Sequence, residues 1–274
     1  MRRKVWMIMG ALGIAALAGW SQPVRADEPS DVAAAAAKAA NENPAIVRWS
    51  SGKFIYRVIE DQRQRGFEEW RMTVHADGSR TLTTWYSVFE DHLETSSVLR
   101  VNKNFRPLSL YKTTWVDDQL TSTHAIVTGD TITTTIQVND DITNGTSTVP
   151  ERFTMMIGPI AADALHFGMY DKSKGGVQTS NILASVSAGG QKTDIGKATE
   201  AKNEDVGLHR IVPATIEWLG EERVEVAAGI FDTDHYRMPG FADMWLSGPD
   251  LTLVKYIWHP NQYEYELLEY SSGP

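Results

Sequence analysis

The densest group of polar side chains in the sequence is the run Asp232–His235, which reads Asp-Thr-Asp-His. Successive side chains of a β-strand point to opposite faces, so we expect Asp232 and Asp234 on one face with Tyr236, and His235 on the other. Two carboxylates about 7 Å apart on one face could bind a cation or form an acid–base pair. The alternative is a solvated face on which neither carboxylate takes part in chemistry.

Histidine is the second residue type that could carry chemistry here. A site assembled from distant parts of the chain could use His235 or His259 as a base, with Asp232 or Asp234 as the acid, and these four are our candidate catalytic residues. No two histidines are spaced i,i+2 or i,i+4, so we predict no metal site. The chain also has no Gly-x-Ser-x-Gly, Gly-x-Gly-x-x-Gly or P-loop motif, so we predict no cofactor.

Aromatic residues are more prominent than ionisable ones on the predicted strands. If the strands form a curved sheet, these residues could line a ligand cavity on its concave face, and the alternative is that they form a solid core. Methionines near residue 155 could help to cover such a cavity, because their side chains adapt to irregular shapes. The candidate ligand-binding residues are Trp85, Trp115, Trp245, Tyr236 and Trp258.

The first 26 residues predict export. Arg2, Arg3 and Lys4 precede an apolar run, and the small-x-small pattern that ends at Ala26 is typical of a signal-peptidase site. We therefore predict cleavage after Ala26, a periplasmic location and no membrane span after processing. Residues 27–44 include an alanine-rich stretch that predicts a marginal helix or a spacer.

Composition excludes several functional classes. The sequence contains no cysteine, which excludes disulfides, thiolate metal sites and cysteine nucleophiles. Loss of the four basic residues of the signal peptide would change the formal net charge from −9 to −13. A chain this acidic is not expected to bind nucleic acid through its phosphates.

From residue 45 onwards the sequence predicts an all-β, mainly antiparallel domain that extends to residue 274. Segments rich in Thr, Val, Ile and aromatic residues alternate with short Asp- and Gly-containing turns. We expect two separate strands, Leu208–Trp218 and Arg223–Val226, with a chain reversal at Leu219–Gly220 and a further bend or bulge at Ala228–Gly229. The absence of strand–helix alternation argues against a parallel sheet and favours one large curved sheet, either a half-barrel or a closed barrel.

Two segments depart from the strand pattern. The apolar stretch that contains Pro159 predicts one short helix at residues 160–167. Residues 171–205 are rich in Gly, Ser, Lys and Asn, and a segment of this length inside a domain is typical of a lid, a flap or paired hairpins. Trp245 lies in a short predicted strand, so its indole N–H will need a partner if it is buried.

The C-terminal third resembles exported bacterial β-proteins that are known only as a domain of unknown function. In that family a Gly-x-Glu, valine, (Pro)-Ala-Gly-x-Phe-(Asp/Glu)-Thr hairpin precedes a Trp-(Leu/Val)-Ser strand, and here Ala227 stands in place of the proline. The resemblance covers residues 212–270 and implies a curved sheet like that of periplasmic lipoprotein carriers, without implying an activity. It is carried by Val212–Gly220, Glu221–Thr233, Asp243–Ser247 and Leu253–Tyr256.

These observations lead to three functional hypotheses. The first is a periplasmic binding or carrier protein whose partner is an apolar or amphiphilic small molecule or lipid. The second is a periplasmic enzyme that acts on a hydrophobic small molecule through dispersed His and Asp side chains. The third is an envelope assembly factor that uses an exposed sheet edge.

Overall fold

Sixteen β-strands form one curved, mostly antiparallel sheet in the computed structural model of the chain, which describes residues 44–117, 119–185 and 204–274. The predicted signal peptide and the predicted N-terminal helix lie outside the described residues. The strands of the first half are β1 (Ile46–Val58), β2 (Gln64–His75), β3 (Arg80–Val88), β4 (Leu93–Val101), β5 (Pro107–Val116), β6 (Gln119–Thr128), β7 (Thr131–Val138) and β8 (Asp141–Thr148).

The second half contains the remaining strands and a short helical segment. That segment consists of an α-helical turn, α1 (Ile160–Asp163), followed directly by a 3₁₀ helix (Ala164–Met169), and it confirms the predicted helix at residues 160–167. The strands are β9 (Thr154–Met156), β10 (Val177–Ser185), β11 (Glu204–Val206), β12 (His209–Val226), β13 (Gly229–Met238), β14 (Ala242–Ser247), β15 (Thr252–Trp258) and β16 (Tyr263–Gly273).

The order of the strands in the sheet is β8-β7-β6-β5-β4-β3-β2-β1-β16-β15-β14-β13-β12-β10-β9, with β11 beside β12. The first and last strands of the domain are thus neighbours near the middle of the sheet. Each neighbouring pair is antiparallel except β9 and β10, which run parallel. The sheet is not closed into a barrel, so of the two predicted architectures the open one is present.

Strand β8, at one end of the sheet, and its neighbour β7 contact the β11–β12 hairpin. Ser147 Oγ on β8 donates to the Val206 carbonyl at 2.8 Å, and a Cβ on Gly145 would lie 2.8 Å from Leu208 Cγ. On the neighbouring strand β7, Thr134 Oγ1 lies 3.5 Å from His209 Nε2. Burial lowers the pKa of His209 to about 4, so this imidazole is neutral at physiological pH.

The strand-rich segments predicted for the first half of the domain correspond to β1 to β7. The sequence pattern did not predict β8. Its sequence contains the Asn144–Thr146 run, which has the composition of a turn, and almost every side chain of the strand is exposed. An edge strand needs little apolar patterning because it buries so little surface. The segment 171–205 was likewise predicted without a specific strand, yet part of it forms β10, which pairs with β12 along its whole length.

The predicted break in β12 is wrong. The chain does not reverse at Leu219–Gly220, because there the strand only bulges, with Gly220 at φ +133°. It reverses instead at Ala227–Ala228, between Val226 and Gly229, which are paired across the hairpin. Glycine favours a turn and a bulge equally, since both need backbone angles that other residues rarely adopt.

A partly buried carboxylate ties the β14–β15 turn to two strands of the first half. Asp250, in the β14–β15 turn, accepts hydrogen bonds from Arg48 Nε at 2.7 Å, Arg48 Nη2 at 2.8 Å and Arg80 Nε at 2.9 Å. Burial by itself would raise the pKa of Asp250, but the hydrogen bonds from Arg48 and the charge of Arg80 outweigh it and lower that pKa. The turn is therefore tied to β1 and β3 by a charged contact.

We expect Asp250→Asn to lower the free energy of unfolding at pH 7 by about 1–3 kcal/mol, because two arginines lose their charged acceptor. Since the folded pKa lies below the unfolded value, this stabilisation is present above about pH 4 and is lost as the pH falls through the lowered pKa. Urea unfolding from pH 7 to pH 3 measures the difference, with the exposed Asp140→Asn as control. A difference that stays constant over this range would contradict the prediction.

Candidate functional site

A cavity of about 390 Å³ lies between the sheet and the helical segment α1–3₁₀. Its walls are mostly apolar and aromatic, and they come from both halves of the sheet and from the helical segment. The aromatic residues are Tyr86, Tyr256, Trp258, Tyr263 and Tyr265, and the aliphatic ones are Val88, Leu93, Met156, Ile160, Ile182, Met238 and Met244. A volume of this size is within the range of small-molecule sites.

The helical segment is attached to the sheet by Glu68, a residue of β2 that is 0% exposed. Its carboxylate accepts hydrogen bonds from the Ile160 backbone N–H at 2.8 Å, the Ala161 N–H at 3.1 Å and the Tyr56 hydroxyl at 2.6 Å. The first N–H groups of a helix have no partner within the helix, so Glu68 satisfies donors that would otherwise be buried without one.

Burial dominates the electrostatics of Glu68. It raises the pKa of this carboxyl from 4.5 to about 7, and the hydrogen bonds from Tyr56, Ala161 and Ile160 oppose that rise only in part. Burial also raises the pKa of Tyr86 to about 12 and that of Tyr256 well above its usual value. The phenols around the cavity are therefore neutral groups that can donate and accept hydrogen bonds.

Five polar residues other than tyrosine line the cavity, namely Arg65, Asp91, Asp163, His166 and Asn261. His166 is buried, with Nδ1 2.7 Å from Thr154 Oγ1 and Nε2 3.5 Å from Asp163 Oδ1. Arg65 places its guanidinium 3.9 Å from the centre of the Tyr263 ring. The cavity thus combines apolar walls with a few polar side chains, which include both basic and acidic residues.

The structure separates the predicted ligand-binding residues. Trp258 lines the cavity. Tyr236 is buried, and its ring centre lies 5.2 Å from that of Phe167 in the 3₁₀ helix. Trp85 and Trp115 are 38% and 48% exposed and lie outside the cavity. Trp245 stacks on His235 at 4.2 Å between ring centres, and its indole N–H donates to Glu222 Oε2 at 2.7 Å, which supplies the partner that we expected.

Of the four candidate catalytic residues, the structure brings two together. Asp243 lies between them: its Oδ1 is 3.1 Å from His235 Nε2 and its Oδ2 is 2.7 Å from His259 Nε2. Arg237 Nε also donates to Asp243 Oδ1 at 2.8 Å. Burial opposes the shift, but these hydrogen bonds outweigh it and lower the pKa of Asp243. None of these residues lines the cavity.

The two aspartates of the predicted pair have separate surroundings. Asp234 accepts hydrogen bonds from Lys172 Nζ and, at 3.0 Å, from Trp218 Nε1, so the cation beside it is a lysine of the same chain. Asp232 is exposed and lies opposite Arg223 in the sheet. Across residues 44–117, 119–185 and 204–274, no group of three or more His, Asp or Glu side chains could hold a metal ion.

Sequence reasoning identified neither Glu68 nor the polar residues of the cavity. For Glu68 one signal was present: in β2 the inward positions are Glu68, Trp70, Met72 and Val74, so a carboxylate interrupts an otherwise apolar face. His166 offered a similar signal as a lone imidazole within an apolar stretch. Nothing in the pattern indicated that these residues meet, because β2 and the helical segment are about 90 residues apart, as the Glu68–Ile160 contact shows.

We expect Glu68→Gln to change the dependence of stability on pH. The folded pKa of about 7 lies above the usual 4.5, so the native state binds this proton more tightly than the unfolded state does. The resulting stabilisation is complete below about pH 4.5 and is lost as the pH rises through about 7, with a span of roughly 3 kcal/mol.

Denaturant unfolding of wild type and Glu68→Gln from pH 5 to pH 8 measures this effect. Besides a constant offset for the altered hydrogen bonds, wild type should gain stability over the variant as the pH falls. The adjacent Glu69→Gln, at an exposed position, should leave the pH profile unchanged. Parallel curves for wild type and Glu68→Gln would show that Glu68 does not titrate in this range.

Comparison with known proteins yields little similarity. No protein-family profile matches the chain, and no curated protein is similar to it. One solved structure with similarity is a Bacteroides fragilis protein described as exported and as having a YmcC-like fold. It is 11% identical, with a TM-score of 0.28, and the alignment covers 84% of this chain and 97% of that one. In the part of the chain that the structure describes, no helix has the length and hydropathy needed to cross a membrane.

Proposed function

We propose that the protein binds or carries an apolar or amphiphilic small molecule or lipid, in the periplasm, after cleavage of the signal peptide behind Ala26. The observation that carries the proposal is the cavity under the helical segment, whose walls are apolar and aromatic while its polar groups are few. Such a composition suits a ligand with a long apolar part and one polar end.

The residues of the walls support binding of a flexible apolar chain. Met156, Met238 and Met244 have unbranched side chains that adjust to the shape of a ligand. The neutral phenols of Tyr86 and Tyr256 add apolar surface and a hydrogen-bonding hydroxyl at the same time. Transfer of the apolar part of a ligand from water into this cavity would supply most of the binding free energy.

The cavity also contains an acid and a histidine, which an enzyme would need. His166 Nδ1 lies 2.7 Å from Thr154 Oγ1, and Nε2 lies 3.5 Å from Asp163 Oδ1, which is too long for an ordinary hydrogen bond. The acid and the histidine therefore do not form the hydrogen-bonded pair that we would expect in a catalytic site of this kind. The geometry supports binding better than catalysis.

The direct test is native mass spectrometry of the protein purified from the periplasm, followed by solvent extraction and identification of retained molecules. A co-purified lipid or hydrophobic metabolite supports the proposal and names its class. The measured mass also tests the predicted start of the mature chain at Asp27.

We expect Met156→Trp to weaken binding of the fluorescent apolar probe N-phenyl-1-naphthylamine about tenfold or more, because the larger side chain occupies part of the cavity. Met156 lines the cavity but is only partly buried, so the variant should fold. Ile126→Trp introduces the same indole at an exposed position outside the cavity and should bind the probe like wild type. Equal probe affinity in both folded variants would contradict binding in this cavity.

A further inference from the structure

Arg65 supplies the cavity with a hydrogen-bond donor that has no partner. The residue is 8% exposed, and its Nε–H makes no hydrogen bond within the described residues. The guanidinium stacks on Tyr263, and its Nη2 reaches Asp91 Oδ2 only at 3.4 Å. Because that contact is made by Nη2, it leaves the buried Nε–H without a partner.

Asp163 supplies an acceptor that has no partner either. Its Oδ1 is buried and accepts no hydrogen bond from the part of the chain that the structure describes. His166 Nε2, at 3.5 Å, lies beyond the usual hydrogen-bond distance. A buried polar atom without a partner destabilises the protein, so a ligand group that pairs with it removes that cost.

Both residues line the same cavity. Arg65 stacks on Tyr263 of β16, and Tyr265, two positions further along that strand, also lines the cavity. Asp163 belongs to the helical segment on the other side of the cavity. A single polar end of a ligand between β16 and the helical segment could therefore meet the donor and the acceptor together.

We propose, on the basis of the binding function above, that the ligand has a neutral polar end that both accepts and donates hydrogen bonds, as a primary amide does. Arg65 Nε–H donates to its oxygen, and Asp163 Oδ1 accepts from its N–H or O–H. A carboxylate in the same place could pair with Arg65 but would also face the carboxylates of Asp163 and Asp91, and an ammonium could pair with Asp163 but would also face Arg65. Burial of either charge costs more than burial of a neutral group that satisfies both partners.

Displacement of N-phenyl-1-naphthylamine from the wild-type protein at pH 7.5 tests this proposal with three competitors of equal chain length: decanamide, decanoate and decylamine. We expect decanamide to displace the probe at a concentration at least tenfold lower than either charged competitor. A charged competitor that equals or surpasses decanamide overturns the proposal.

Two variants that each remove one contact, and a third that serves as a control, assign the contacts. Arg65→Met keeps an apolar stem but removes the donor, and we expect it to bind decanamide about tenfold more weakly while decylamine binding improves. Asp163→Leu removes the acceptor, so we expect weaker binding of decanamide and tighter binding of decanoate. Asp163→Asn keeps an oxygen acceptor and should retain decanamide binding, which separates loss of the contact from loss of folding.

The outcomes also separate this inference from the proposed function. If the probe does not bind wild type, or no competitor displaces it, the binding function itself fails. If the probe binds and all three competitors displace it equally, or if both variants weaken all three alike, binding stands and the preference for a neutral polar end is wrong.

Discussion

The contact on which the cavity depends is the hydrogen bonding between the buried carboxylate of Glu68 and the first turn of the helical segment. One side chain of β2 satisfies two backbone N–H groups and the Tyr56 hydroxyl, and all of these residues are buried. Four helical residues and a 3₁₀ turn are too short to be stable alone. Their position over the sheet is therefore set by this contact together with the apolar side chains that they bury.

Curvature makes the rest of the site possible. Strands β1–β8 form one half of the sheet and the later strands form the other, and the two halves are joined where β1 pairs with β16. Because the sheet bends, Tyr86 from the first half and Met244 from the second line the same cavity. Strand β8, at one end of the sheet, contacts β11 through Ser147 and Val206, so the curved sheet encloses space that the helical segment covers.

Three carboxyl groups of this protein, those of Asp250, Asp243 and Glu68, differ in the direction in which their surroundings shift the pKa. Asp250 and Asp243 sit among arginines or histidines, and their pKa values are lowered, as is usual for paired carboxylates. Glu68 has neutral donors only, and burial raises its pKa. The two aspartates tie strands together, whereas Glu68 lies next to the cavity, where a group that titrates near neutral pH is more often associated with function.

The local sequence pattern determined most of the strands and the position of the short helix, because side-chain alternation and turn residues depend on a few neighbouring residues. The absence of cysteine excluded disulfides. Even among the strands, Gly220 could not be assigned to a bulge rather than a turn, since both use the same backbone freedom. Only the tertiary structure decided that Glu68 meets Ile160, that Asp243 joins His235 to His259, and that Trp258 lines the cavity while Trp85 does not. These contacts depend on which way the sheet curves and which face it covers, and that is a property of all sixteen strands together.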